Sequence, residues 1–160
     1  MDEMSRKTPD QWFEEYGESH QNHANKLVHW ICVPAITVSL LGLLWSIPTP
    51  GFTGQQFLLN WATLFIALVL VYYLVLSIPL AIGMLLFTAG IVCLIYLHEQ
   101  YIPLHLWQTS LGIFVLAWIG QFVGHKVEGK NPSFLQDLQF LLIGPLWLLG
   151  FIYRRVGIRY

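Results

Sequence analysis

Beyond a polar stretch of 26 residues, the chain alternates long apolar runs with short polar punctuation. Leu27 to Ile47 is long enough to cross a hydrocarbon core of roughly 30 Å as a single helix, and Pro48-Thr-Pro50-Gly51 closes it with a turn signal. Phe57 to Ser77 is a second such run. Residues 57 to 97 are too long for one crossing, so Ser77-Ile78-Pro79 predicts a tight hairpin and Leu80 to Leu97 a third span. Ile102-Pro103-Leu104 makes the next turn, and Leu106 to Val123 the fourth span. The last run, Leu138 to Tyr153, is short and carries Gly144-Pro145 in its middle. It suits either a kinked fifth span or a segment that enters and returns.

Basic residues choose between these two. Arg6, Lys7 and Lys26 flank the first span, Lys126 and Lys130 follow the fourth, and Arg154, Arg155 and Arg159 follow the last run. Four crossings place all three groups on one side, as the positive-inside rule requires; a full fifth crossing would put the last group outside. The expected fold is therefore all-α: a polytopic transmembrane helical bundle of four full spans plus a short C-terminal apolar segment, in one integral-membrane domain over residues 1–160. Residues 1–26 carry Trp12, Phe13 and Tyr16 on one helical face. They predict an N-terminal amphipathic helix starting at Thr8-Pro9-Asp10, lying along the membrane surface or packed on the protein itself.

Composition agrees. The chain is 56% hydrophobic and only 11% charged, against roughly a quarter charged in soluble domains. The formal net charge of -1 says nothing about nucleic acid, and no basic stripe suggests such a partner, so none is expected. Cys32 and Cys93 both sit in apolar runs, where small core residues are expected rather than a disulfide framework. The polar leader lacks the short basic start of a signal peptide, so it is expected to remain in the mature protein.

The topology sorts the six histidines. After an even number of crossings, His20, His23 and His29 lie at the same membrane face as His125; His98 and His105, after three crossings, belong to the opposite face. At about 100° per residue, Asn22, Asn25 and His29 share one stripe, whereas His20 falls on the other side of a continuous helix. If His20 and His29 serve one ion, the helix must begin or break between them, and a turn at Gln21-Asn22 with Asn22 or Asn25 near an N-cap would allow it. Gln121, His125 and Glu128 also share a face. Three imidazoles with one carboxylate, His20, His29, His125 and Glu128, suit a divalent metal such as non-haem iron. Asn25 and Gln121 would orient these ligands, while His23 is out of phase and is expected to be a neighbour. The alternative is that each histidine is a polar anchor at the interface.

The pattern His20-x-Asn22-x-x-Asn25-x-x-x-His29-x-x-x-x-Pro34, followed by Trp118-x-x-Gln121-Phe-x-Gly124-His125-x-x-Glu128, resembles a family of small membrane proteins that act as 2-hydroxy fatty acid dioxygenases. The likeness runs from about Trp12 to Phe151. It implies an Fe(II)-dependent enzyme of fatty acid α-oxidation, with His20, His29 and His125 matching the family's histidines and Asn22, Asn25, Gln121, Gly124 and Pro145 matching flanking positions. In the family's pattern the acid follows the histidine by four residues and precedes an Arg-Pro-Ala-type run. Here Glu128 follows His125 by three and the run is Asn131-Pro132-Ser133-Phe134, so Asp137 becomes a rival carboxylate at the cofactor.

The implied reaction takes a 2-hydroxy long-chain fatty acid and O2 to the acid one carbon shorter, CO2 and water. The substrate supplies every electron, so no reductase partner is expected, in keeping with a chain that has no nucleotide-binding fingerprint. Two rivals stand beside it. A di-iron lipid hydroxylase would require more histidines than six and a reductant; a non-enzymatic scaffold or transporter would make the histidines dispensable. The expected location is a bacterial cytoplasmic membrane, or endoplasmic reticulum in a eukaryote, with the site facing the cytosol and membrane lipid around the bundle.

Overall fold

The computed structural model describes residues 7–18, 20–49, 59–129 and 134–160, with backbone only over 134–140. The described residues form six helices: α1 (Pro9–Glu18), α2 (His23–Trp45), α3 (Trp61–Leu76), α4 (Ile78–Tyr101), α5 (Leu106–Glu128) and α6 (Phe134–Val156). Three of them, α2, α4 and α5, are long and apolar enough to cross a membrane, and α3 is a shorter apolar helix. Their outer faces carry bare aliphatic side chains, among them Leu68, Leu86, Leu116 and Ile119. Helices apolar all round suit lipid rather than water.

Local chemistry sets the breaks. Pro9 opens α1, and Thr8 and Gln11 exchange backbone and side-chain hydrogen bonds across its first turn. Asn60 caps α3 in a capping box with Thr63, so the helix starts at Trp61, later than the apolar run; residues 57 and 58 lie outside the described set. Ser77 alone separates α3 from α4, ending one and capping the next by accepting a bond from the Leu80 N–H, with Pro79 in the first turn. That single residue is the predicted hairpin. At the other ends the helices outrun their apolar stretches: α4 continues to Tyr101 and α5 to Glu128.

α2 and α5 pack antiparallel along small residues. A Cβ added at Gly120 would lie 2.6 Å from Cys32 Sγ, and one at Gly124 would lie 2.5 Å from Asn25 Oδ1. Gly42 meets Ser110 just as closely at the other end of the pair. Without a hydrophobic driving force between helices in lipid, such small-residue contacts let backbones approach and gain dispersion. Two apolar clusters complete the packing. Leu41, Ala62, Ile91 and Ile95 close the end of the bundle away from His29. Tyr16, Val33, Tyr73, Leu80, Met84 and Leu146 belong to the larger one, at the opposite end.

α6 runs as one helix through Gly144-Pro145, where the sequence suggests a kink or a return. Its N-terminal part follows α5, and Tyr73 Oη donates to the carbonyl of Leu142 at 2.6 Å. Its C-terminal part reaches the start of α4, where Tyr153 Oη donates to the Pro79 carbonyl at 2.9 Å, and the start of α1, where Arg154 pairs with Asp10 at 3.3 Å. Both halves of α6 thus contact elements at the same end of the bundle. α1 packs against this helix with Phe13 and Tyr16 buried, so its apolar face rests on the protein itself.

Candidate metal centre

The helical break required by the phase of His20 and His29 lies where the polar residues cluster. Past the end of α1, His20 N–H and Gln21 Nε2 both donate to the carbonyl of Gly17. The chain re-enters a helix at Asn22, whose side chain accepts from Ala24 N–H at 2.8 Å as the N-cap of α2. This turn folds His20 back beside His29.

His20 and His29 are 2% and 1% exposed, and His125 is half-buried beside them. Their ligand atoms all lie within 4.8 Å of one another. The Nδ1 of His20 faces the Tyr16 carbonyl at 2.5 Å, and the Nδ1 of His29 faces the Asn25 carbonyl at 2.9 Å. A carbonyl only accepts, so each Nδ1 carries its ring's proton and each Nε2 presents a lone pair. Yet the two Nε2 atoms stand 2.8 Å apart. Two acceptors at that distance repel unless a proton lies between them or a metal ion lies against both. Imidazole rings with Nδ1 tied to carbonyls are also the arrangement that orients metal-ligating histidines. The donor set therefore fits a divalent transition metal.

The surroundings hold the rings in place. Tyr16 stacks on His20 with ring centroids 4.2 Å apart, and Trp147 lies 5.6 Å from the same ring. The three histidines face a cavity of about 50 Å3 that Tyr16, Val33, Ile36, Trp118, Gln121 and Leu141 also line. Gln121 is buried one helical turn before His125. The indole Nε1 of Trp118 is buried without a hydrogen-bond partner among the described residues.

Glu128, read from sequence as a fourth ligand, is not part of the clustered set. Its carboxylate accepts from the backbone N–H of Gln21 at 2.8 Å, of Asn22 at 3.0 Å, and from Asn25 Nδ2 at 2.9 Å. It bridges the end of α5 to the turn that carries His20. Asn25 is fully buried against Gly124, and its carbonyl and side chain serve His29 and Glu128 respectively. Asn22 acts as a helix cap. The Asp137 side chain lies outside the described residues, as do Asn131, Pro132 and Ser133. His23 is exposed at the start of α2. His98 bonds the Thr109 hydroxyl at 2.9 Å and His105 precedes α5, both far along the helices from the cluster. Tyr16 and Trp147 are contacts that sequence reading missed. Tyr16 was legible as part of the apolar face of α1, but nothing in the order of residues indicates that α6 brings Trp147 beside it.

An all-helical membrane protein with three imidazoles converging at one end of its bundle defines a narrow class. The chain belongs to the Mpo1-like family, described as 2-hydroxy-palmitic acid dioxygenase Mpo1-like, which matches residues 7–156. It is 31% identical over 135 residues to the 2-hydroxy-palmitic acid dioxygenase MPO1 of Saccharomyces cerevisiae, covering 81% of this chain and 71% of the yeast protein. No solved structure matches.

Proposed function

We propose that this chain is an Fe(II)-dependent dioxygenase that converts a 2-hydroxy fatty acid and O2 to the fatty acid one carbon shorter, CO2 and water. The observation that carries the reading is the pair of Nε2 lone pairs of His20 and His29, 2.8 Å apart with both Nδ1 atoms committed to carbonyls. Kinship to a 2-hydroxy-palmitic acid dioxygenase supplies the substrate class.

His20, His29 and His125 would hold the ion, leaving positions open toward the cavity they face. Bound there, Fe(II) would supply the one-electron chemistry that allows O2 to react with a closed-shell substrate. The carbonyls of Tyr16 and Asn25 fix the tautomer and direction of two ligands. Glu128 acts as a clamp: by gathering the N–H groups of Gln21 and Asn22 it holds the His20 turn against α5 and so brings ligands from both ends of the chain together. Gln121, beside His125, is placed to contact the polar head of a substrate. The atoms balance without a further reductant: R-CHOH-COOH and O2 give R-COOH, CO2 and H2O.

The membrane orientation follows from charge. Lys7 precedes α2 and Lys26 lies in its first turn, Lys126 lies in the last turn of α5, and Arg154, Arg155 and Arg159 lie in the last turn of α6 or beyond it, all at the end of the bundle that holds the histidines. None occurs in the connections at the other end. Four crossings by α2 to α5, with α6 laid across their ends, face the site to the cytosol; a bacterial cytoplasmic membrane suits the compact chain.

The test is to incubate purified protein with Fe(II), O2 and 2-hydroxypalmitate. A fifteen-carbon acid, abolished by His125→Ala, is the expected result, with one iron bound per chain. Folded, iron-loaded protein that leaves the substrate unchanged would remove the reading, and two irons per chain would favour a di-iron hydroxylase.

A further inference from the structure

The cavity at the three histidines does not stand alone. Leu141 of α6 lines it and also lines a second cavity, which runs between α2, α3 and α4 under the same helix. Along α2 the residues facing the two follow one another: His29, Val33 and Ile36 face the first, and Thr37, Leu40 and Leu41 the second. From His29 to Leu41 the helix rises about 18 Å, slightly more than half a hydrocarbon core of roughly 30 Å. At its far end the second cavity stops at Leu41 and Phe65, part of the apolar cluster that closes the opposite end of the bundle.

The walls suit a hydrocarbon. Three hydroxyls border the second cavity, and each is turned to backbone: Thr37 donates to the Val33 carbonyl, Thr88 to that of Met84 and Tyr73 to that of Leu142. None needs a partner from a ligand. The cavity is a seam of about 40 Å3 in this state, bordered by Leu40, Leu70 and Met84, whose side chains have rotamers to move into. Its roof is also the weakest part of α6. Pro145 has no N–H, so the Leu141 carbonyl loses its partner in the helical ladder, and the helix can flex at that turn. Met84 and Pro145 face, in addition, an outer groove with Trp30, Pro34, Phe87 and Leu148, which opens the same region toward lipid.

We infer that the second cavity is the subsite for the acyl tail of the substrate, that Leu141 gates it, and that its closed end at Leu41 and Phe65 sets the longest chain accepted. This rests on the proposed dioxygenase reading for the identity of the head group. A carboxylate at the histidines with its tail down this seam keeps each carbon at the depth it has in one bilayer leaflet. The protein then has only to exchange lipid contacts for side-chain contacts.

The test has two arms. In the first, palmitic acid carrying a diazirine at its terminal carbon is photolysed with the intact protein in lipid nanodiscs, and the labelled residues are mapped by mass spectrometry. Label on Leu41, Phe65 or Ile66, suppressed at least fivefold by excess palmitate, is expected. Label confined to the outer residues Leu68, Val71 and Leu116, with no suppression, overturns the subsite. This arm needs no turnover, so it decides the inference even if every 2-hydroxy acid proves inert and the dioxygenase reading falls. In the second, Leu70→Trp fills the seam. Activity on 2-hydroxypalmitate should fall at least tenfold against that on 2-hydroxyoctanoate, and Phe65→Ala should move the optimum to longer chains. An unchanged chain-length profile in both variants, in active protein, overturns the inference while leaving the dioxygenase reading in place.

Discussion

The two ends of the bundle carry the same residue type in different company. At one end His20, His29 and His125 come from both ends of the chain, within 4.8 Å of one another, with two of the Nδ1 atoms held by backbone carbonyls. At the other, His98 turns its Nε2 to the Thr109 hydroxyl, and His105 occupies the N-cap position of α5 without a side-chain cap bond. His98 has this one hydroxyl on Nε2, no partner for its buried Nδ1 among the described residues, and no second ring to converge on. Histidines whose protonated nitrogens are spoken for, and whose lone pairs converge, are arranged for a cation. The difference lies in the partners of Nδ1, not in the number of rings.

The largest effect should come from removing a converging ring. His29→Ala leaves His20 Nε2 without the lone pair opposite it and His125 with a single neighbour. We expect iron content and activity to fall by more than about 100-fold, beyond the 10–100-fold typical of groups that only support a ligand. Metal analysis after purification and product analysis with 2-hydroxypalmitate measure it. Full iron content in both His29→Ala and His125→Ala would break the distinction between the two ends.

Glu128→Ala tests the clamp, with the next largest effect. The variant removes the acceptor shared by Gln21, Asn22 and Asn25 but no imidazole, so iron affinity should drop about 10–100-fold while saturating iron restores turnover. A carboxylate bound to the metal would behave differently: excess iron would not restore a missing ligand, and the ratio of activity to bound iron would fall. Titrating activity against iron separates the two roles.

Much of this contrast was legible in the order of residues. Hydropathy and the distribution of Lys and Arg divide the histidines correctly between the two ends. The phase difference between His20 and His29 demands a break near Gln21-Asn22, and Asn22 supplies it as an N-cap. The extents of the helices were harder to read. α5 runs on to Glu128 because its polar last turn finds partners on the His20 turn, 107 positions away in sequence from Gln21. Hydropathy weighs each residue by its own chemistry and cannot register that a distant N–H will satisfy it. The same blindness hides the partners of Glu128: a His-x-x-Glu spacing puts both side chains on one face but does not say that the N–H groups of Gln21 and Asn22 and the amide of Asn25 wait there. Pro145 suggested a break in α6, yet packing by Tyr73, Tyr16 and Trp147 carries the helix through.

A smaller, mainly structural effect is expected where α2 meets α5. Gly124→Ala places a methyl group 2.5 Å from Asn25 Oδ1 and 3.3 Å from Val28 Cγ1, so the helices must part or Asn25 must turn. Overpacking of this kind costs about 1–3 kcal/mol. Because Asn25 also bonds Glu128 and its carbonyl holds His29, the loss of thermal stability should come with weaker iron binding. A comparable packing change away from the site, at Gly42 against Ser110, should lower stability alone. Equal loss of iron affinity in the two variants would mean that the bundle transmits packing changes end to end, and the ends would then not be independent.

The smallest effect is the sharpest control. His98→Ala gives up one hydrogen bond to Thr109, a net loss of about 0.5–1.5 kcal/mol, from a position at the end of α4 opposite the three converging histidines. Iron content should be unchanged and turnover within about twofold of the parent, with a small fall in melting temperature as the only mark. Thr109→Val, which removes the other partner of the same bond, should likewise lower stability slightly and leave iron content unchanged. A loss of iron in His98→Ala but not in Thr109→Val would show that the ring, and not the bond, matters. It would give the far histidine a part in metal delivery that its single hydroxyl partner does not explain.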